Sequence, residues 1–390
     1  MLRVAAIATL VAVGACAAAA SPVVPERDSY ALGQPWAGRL ANGVQLTEEG
    51  PDHFTWDPVL KRSPNRPWRR WGTARLVRTL LTVLAEYHTA HPEAPRVGIG
   101  DLSRPHGGSF GRRFGGIGHA SHQNGLDVDV YYPRRDHEER QAVRVGQIDR
   151  TLAQDLVDRF VHAGAEKLFV GPHTGLHGPR RIVRPLVHHD DHVHVRLVHD
   201  APRRVLLGGS VEGRPIYAYR LGNPAARRLL VVGSIHGNEP AGLQVTRRLL
   251  QVPPPLHAEL WIVPTFNPDG LALRTRANAA GVDLNRDFGV FSQPETRIAR
   301  ALIRRVRPFL SVWFHQPQGL VRAFGPSVAV GRAYAQLARA RYRTLVWPPG
   351  TASRWQNRIG QRSFVVELAP GRLGPRAAAR HVRALLAFAG

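Results

Sequence analysis

The sequence predicts two domains in succession, one of mixed strands and helices over residues 36–200 and an α/β sheet with flanking helices over 204–390. Three observations lead there. The chain has 390 residues, 43% of them hydrophobic, which is material for two cores and argues against a wholly disordered polymer. Histidines and carboxylates gather in two groups, one between His119 and His194 and one between His236 and Glu367. The hydrophobic pattern restarts around residues 201–204, after which VEGRPIYAYRLG opens a new strand order.

Residues 1–20 carry Arg3, an apolar run from Val4 to Ala15 and then small residues. This is the pattern of an export signal, too short to remain as a membrane span. The single cysteine, Cys16, ends the run in Val13-Gly14-Ala15-Cys16, which resembles a bacterial lipoprotein cleavage box. Two outcomes stay open, a lipid anchor at Cys16 or ordinary signal cleavage near Ala20. Either places the protein in the periplasm or cell envelope, without a disulfide. The formal charge is +24, and among 53 basic residues only Lys61 and Lys167 are lysines. Such an excess favours polyanions. The export signal makes nucleic acid the least expected of these, ahead of which stand anionic lipid and the acidic polymers of an envelope. Residues 21–35 read as a tether.

In the first domain, Leu76, Leu80, Val83, Leu84 and Tyr87 repeat at helical spacing between Thr73 and His91. A short strand at 96–100 leads to a glycine-rich loop, a second amphipathic helix runs over 149–163, and a strand follows at 166–170. The chemistry lies in GHASHQNGLDVDVYY, residues 118–132. Gly125 allows the chain to double back, so that His122 and Asp129 face one point. After the turn, Leu126, Val128 and Val130 alternate with Asp127 and Asp129, which sets both carboxylates on one face of a strand. Downstream, His192 and His194 share a face of a second strand while Val193, Val195 and Leu197 take the other. Two histidines and a carboxylate suit zinc and leave a position for water, with one histidine to spare for proton transfer.

In the second domain, an apolar strand at 229–235 ends in His236-Gly237-Asn238-Glu239-Pro240, and a helix is expected from Glu239 to about Leu250. His236 and Glu239, three apart, can bind one metal ion. A strand at 259–264 precedes RTRANAAGVDLNRDF, residues 274–288, with Arg276, Asn285 and Arg286. Strands at 310–314 and 364–366 deliver His315 and Glu367 at their ends, and a helix at 375–388 closes the chain. Two histidines and a glutamate bind zinc, a further carboxylate takes a proton from the attacking water, and arginines hold a substrate carboxylate or a developing oxyanion.

The motifs carry two family resemblances. GDLS at 100–103, GHASHQNGLDVD at 118–129 and HDDHVHVR at 189–196 resemble the penicillin-insensitive murein endopeptidases, which implies a small α+β zinc fold shared with the lysostaphin, D-Ala-D-Ala dipeptidase and hedgehog group. That resemblance implies zinc ligands His122, Asp129 and His194, a base at His192, and supporting or proton-relay roles for His119 and His189. It also implies cleavage of the D-alanyl to diaminopimelyl crosslink of peptidoglycan. HGNE, GVDLNR, the later FHQ and the late VVEL resemble zinc carboxypeptidases of the carboxypeptidase A type, within which the compact murein peptide amidases are most similar. This implies zinc on His236, Glu239 and His315, Glu367 as base, Asn285 and Arg286 on the substrate carboxylate, and Arg276 at the oxyanion. It also implies a mixed sheet with flanking helices. Tyr334 and Tyr342 both stand as candidates for the tyrosine of that family's specificity loop.

The expectation is therefore an exported bifunctional peptidoglycan hydrolase with one zinc per domain, two per chain, acting on muropeptides. Its alternative is a cell-wall-binding protein in which only one zinc domain is active.

Overall fold

Two large sheets organise the chain, the first built on alternating apolar residues and the second on continuous apolar runs. The structure, a computed structural model, describes residues 28–111 and 119–389. The expected export signal, Cys16 and the first part of the tether lie outside the described residues.

In chain order the first part runs β1 (Tyr30–Gln34), β2 (Ala37–Ala41), β3 (Val44–Gln45), β4 (His53–Thr55), β5 (Trp71–Gly72), α1 (Ala74–Ala90), β6 (Val97–Ile99), β7 (Asp127–Tyr131), α2 (Arg150–His162), β8 (Ala165–Val170), β9 (Val183–Pro185) and β10 (His192–Leu197). The main sheet has the order β4-β6-β7-β10-β8-β9. The helix α1 begins where the Thr73 side chain accepts a hydrogen bond from the Leu76 amide, and α2 where Asp149 does the same for Leu152. Their apolar stripes, Leu76, Leu80 and Leu84 on one and Leu156, Val157 and Phe160 on the other, bury against Val128, Val130, Val193 and Val195 of the sheet. The antiparallel pairing of β7 with β10 sets Asp129 opposite His194 and Tyr131 opposite His192. One face of this strand pair is core, and the opposite face holds the polar set.

One expectation is corrected at the start of the domain. Residues 30–34 belong to strand β1 rather than to a tether. Ala31 and Leu32 are buried, the strand pairs along its length with β2, and the Gly33 amide donates to the Pro254 carbonyl. A short apolar run gains more by pairing and burial than by remaining a solvated linker.

The second part runs β11 (Arg203–Gly209), β12 (Pro215–Gly222), β13 (Arg227–Val232), α3 (Gly242–Leu249), β14 (Ala258–Val263), α4 (Pro268–Leu273), α5 (Pro294–Val306), β15 (Leu310–His315), β16 (Leu320–Ala323), α6 (Val328–Ala338), β17 (Arg341–Thr344), α7 (Ala352–Arg358), β18 (Ser363–Glu367) and α8 (Pro375–Ala387). They form an eight-stranded mixed sheet of order β11-β12-β14-β13-β15-β18-β16-β17. Its central strands β14, β13, β15 and β18 are parallel, and they read as unbroken apolar runs because helices cover both faces. Leu229, Val231 and Val312 point toward α3, α6 and α8. Leu230, Val232 and Trp313 point toward α5 and α7.

Two local expectations shift here. Strand β13 stops at Val232, short of the expected 235, and the helix α3 starts at Gly242 rather than at Glu239. Residues 233–241 form a tight turn closed by Glu239 N to His236 O at 3.1 Å and Leu243 N to Pro240 O at 3.0 Å. That turn, not a strand end, aims His236 and Glu239 inward. Among the described residues, no helix is long and apolar enough to cross a membrane.

Candidate metal centres

The first centre assembles from the His122 turn and the β7/β10 pair. Positive φ at His122 (65°) and Gly125 (76°) turns the chain back on itself, and a side chain at 125 would strike Leu40 at 2.8 Å. As a result His122 Nε2, His194 Nδ1 and Asp129 Oδ1 stand at the corners of a triangle with 3.2 Å on every side. The other nitrogen of each ring is engaged. His122 Nδ1 donates to the Leu102 carbonyl at 2.6 Å, and His194 Nε2 donates to Asp127 Oδ1 at 2.9 Å. With the rings neutral, two lone pairs and a carboxylate oxygen converge, an arrangement that repels itself unless a positive charge, a proton or a metal ion, sits among them. Asp129 Oδ1 is buried and accepts no hydrogen bond. The spacing matches a face of a tetrahedron with ligand bonds of about 2.0 Å, so the residues fit a zinc ion.

Burial, the largest influence on Asp129, would raise its pKa, yet His122, His192 and His194 together hold it well below the usual carboxylate range. His192 sits at the rim, Nε2 3.6 Å from Asp129 Oδ1 and Nδ1 2.8 Å from Asp191 Oδ1. Burial works to lower its pKa, but Asp129 and Asp191 outweigh it and the net shift is upward. His119 Nε2 lies 2.7 Å from Asp101 Oδ2, and Asp101 is in turn ion-paired with the buried Arg69. With His122 and Asp129, His119 forms a group whose ligand atoms lie within 4.8 Å of one another. His189 stands further out, Nδ1 2.8 Å from the Val187 carbonyl and its ring 4.8 Å from that of His192, with its pKa lowered by burial.

The second centre gathers at the C-terminal ends of the parallel strands. Glu239 spreads its two oxygens to two rings, Oε1 2.9 Å from His236 Nδ1 and Oε2 2.9 Å from His315 Nδ1. All three residues are buried and form a second group able to hold a metal ion. Gly237 makes the turn possible, since a Cβ there would fall 1.9 Å from the Gly270 backbone. Glu367 enters by register, paired with His315 across β15 and β18. Its Oε2 is buried without a partner, and burial raises its pKa against the pull of His315. Arg276 reaches the site, but its guanidinium spans Glu239 Oε1 and Asp283 Oδ2, each at 3.0 Å. Asn285 is buried with its carbonyl oxygen accepting from the Ala352 amide, which leaves its NH2 as the free end. Arg286 is half-exposed beside it.

Three carboxylates hold histidines of the two centres, a role that the sequence pattern assigned to none of them. Asp127 orients His194, Asp101 orients His119, and Asp283 takes His236 Nε2 at 3.0 Å. Of the two tyrosines, Tyr334 is excluded as a substrate contact. It is fully buried in α6 with its hydroxyl 2.9 Å from His381 Nδ1, because its position on the helix faces the sheet.

Two regions of the chain match peptidase and hydrolase families. Residues 31–176 match the family of penicillin-insensitive murein endopeptidases, and residues 225–317 match the succinylglutamate desuccinylase/aspartoacylase catalytic domain. The first match ends before His192 and His194, so their place beside His122 rests on the β-sheet register.

Particular relatives resemble the chain over part of its length. Carboxypeptidase SOL1 of Arabidopsis thaliana is 31% identical over 136 residues, covering 28% of this chain and 28% of that protein. Murein peptide amidase A of Escherichia coli (strain K12) is 30% identical over 141 residues, covering 28% of this chain and 57% of that protein. Among solved structures, a murein-tripeptide amidase from Escherichia coli O157 aligns with 48% of this chain and 91% of its own, at 25% identity and a TM-score of 0.41. The chain therefore spans from about a quarter to little more than half of these curated relatives' length.

Proposed function

We propose that the protein is an exported, bifunctional peptidoglycan hydrolase with one zinc ion in each centre. The first centre would cut the D-alanyl to diaminopimelyl crosslink, and the second would cut the stem peptide, at the D-glutamyl to diaminopimelyl bond or at a C-terminal residue. The observation that carries this reading is that each centre brings two imidazole nitrogens onto one carboxylate, at 3.2 Å in the first and 2.9 Å in the second. The family that matches residues 31–176 and one relative of the chain are named for murein, which supports muropeptides as substrate and the cell envelope as location.

His122, Asp129 and His194 would hold one zinc ion and His236, Glu239 and His315 another, and each would supply a Lewis acid to polarise a carbonyl and acidify a water. The chain's own groups move the proton. His192, its Nδ1 fixed by Asp191, accepts at Nε2 and returns the proton to the departing amine. Glu367 does the same in the second centre, and its raised pKa lets it keep the proton long enough to deliver it. Asn285 and Arg286 hold the substrate carboxylate, and Arg276 turns from Glu239 and Asp283 to the oxygen that gains charge.

Digestion of purified muropeptides by the parent chain, His122→Ala and Glu367→Ala tests this. His122→Ala should stop conversion of crosslinked dimers, and Glu367→Ala should stop stem trimming, each by about a hundredfold or more. Product patterns unchanged in both variants would sink the reading.

A further inference from the structure

Two arginines of neighbouring strands lie on the sheet face that carries the second centre. The antiparallel pairing of β16 with β18 sets Leu320 opposite Glu367 and Arg322 opposite Val365. Facing residues of such a pair share a face, as do residues two apart on a strand. Arg322 therefore lies on the face that carries Glu367 and His315. The next strand, β17, sets Arg343 beside Arg322. Like charges facing across strands destabilise a sheet. The sequence after Glu295 holds a single acidic residue, Glu367, on this same face.

Neither guanidinium is saturated. Arg322 donates to Gln318 Oε1 and packs its Cζ 4.9 Å from the Trp347 ring centroid, while its Nε is buried with no hydrogen-bond partner. Arg343 is exposed and forms no ion pair among the described residues. The Arg322 charge also reaches Glu367 and opposes the rise of its pKa. A wall of this kind suits a carboxylate, which accepts paired hydrogen bonds from a guanidinium. It repels a lone ammonium.

We propose that Arg322 and Arg343 form the subsite for the side-chain carboxylate of diaminopimelate, and so separate it from lysine. The inference rests on the stem-peptide reading above and adds its side-chain specificity. Lysine lacks that carboxylate and would present an unbalanced ammonium to two guanidinium groups, so attraction and repulsion favour the same substrate.

The test is calorimetric binding of L-alanyl-γ-D-glutamyl tripeptides to the zinc-loaded full chain carrying Glu367→Gln, which removes turnover. Their third residue is diaminopimelate, diaminopimelate with its side-chain carboxylate amidated, or lysine. The diaminopimelate peptide should bind about tenfold tighter than either of the others. Adding Arg322→Gln or Arg343→Gln should bring the three affinities together. The exposed Arg343 provides a variant with little risk to folding. Equal affinities before those substitutions, or an unchanged preference after both, would overturn the proposal. Hydrolysis by the parent chain is read separately: no product with the binding preference intact would overturn the stem-peptide reading and leave this subsite standing.

Discussion

Asp127 and Asp283 perform one task in two unrelated settings. Each takes the far nitrogen of a histidine whose near nitrogen faces the metal position, fixing the tautomer and aiming the lone pair. Asparagine at either position keeps the shape and an acceptor oxygen but loses the charge that raises ring basicity. Asp127→Asn should weaken zinc at the first centre by about 10- to 100-fold, and Asp283→Asn should do so at the second. Competition with a chelator would read this, and unaltered affinity in either variant would refute the orienting role at that centre. The spacing of His122 and Asp129 and the alternation of His192 with His194 were legible from residues alone. What was not legible is why Asp129 faces the metal and Asp127 supports it. Both carboxylates lie on one face of β7, and only the register that sets Asp129 opposite His194 distinguishes them.

At the scale of elements, α8 carries a buried group with a clear pH consequence. His381 faces Tyr334 and Phe314 inside the helix layer, and burial, reinforced by Arg380, lowers its pKa to about 4. The folded state thus binds this proton less readily than the unfolded chain, whose histidines titrate near 6.5. Its contribution to stability is complete above that value and is lost as pH falls toward about 4, on the order of 3 kcal/mol. Urea unfolding at pH 7 and pH 4 should show His381→Gln losing less stability than the parent by about that amount. Equal losses would count against the buried neutral imidazole. Element positions followed closely from pattern where one face is apolar, as in α1, α2, β14 and α8. They slipped at residues 233–241, where hydrogen bonds within the turn compete with strand and helix.

For the whole molecule, the charge of +24 sets how it meets an acidic polymer. Retention on purified sacculi should fall steeply as salt rises to about 1 M, where the screening length is about 3 Å. Zinc content should stay constant over the same range, because the proposed ligands are buried. Salt-independent retention would assign binding to local contacts instead of the surface field. The two centres belong to different sheets, so loss of metal from one should leave the other loaded.

Composition and local pattern determined the kinds of ligand, the two sheets that carry them, the helices that cover those sheets and the surplus of positive charge. These follow from periodicity and residue chemistry, which act over a few positions of chain. Tertiary structure decided which of several histidines converge, which carboxylates orient them, that residues 30–34 pair as a strand, and that two arginines share the sheet face of Glu367. Those outcomes depend on the register between strands tens of residues apart, and a shift of one residue there would turn every side chain to the opposite face.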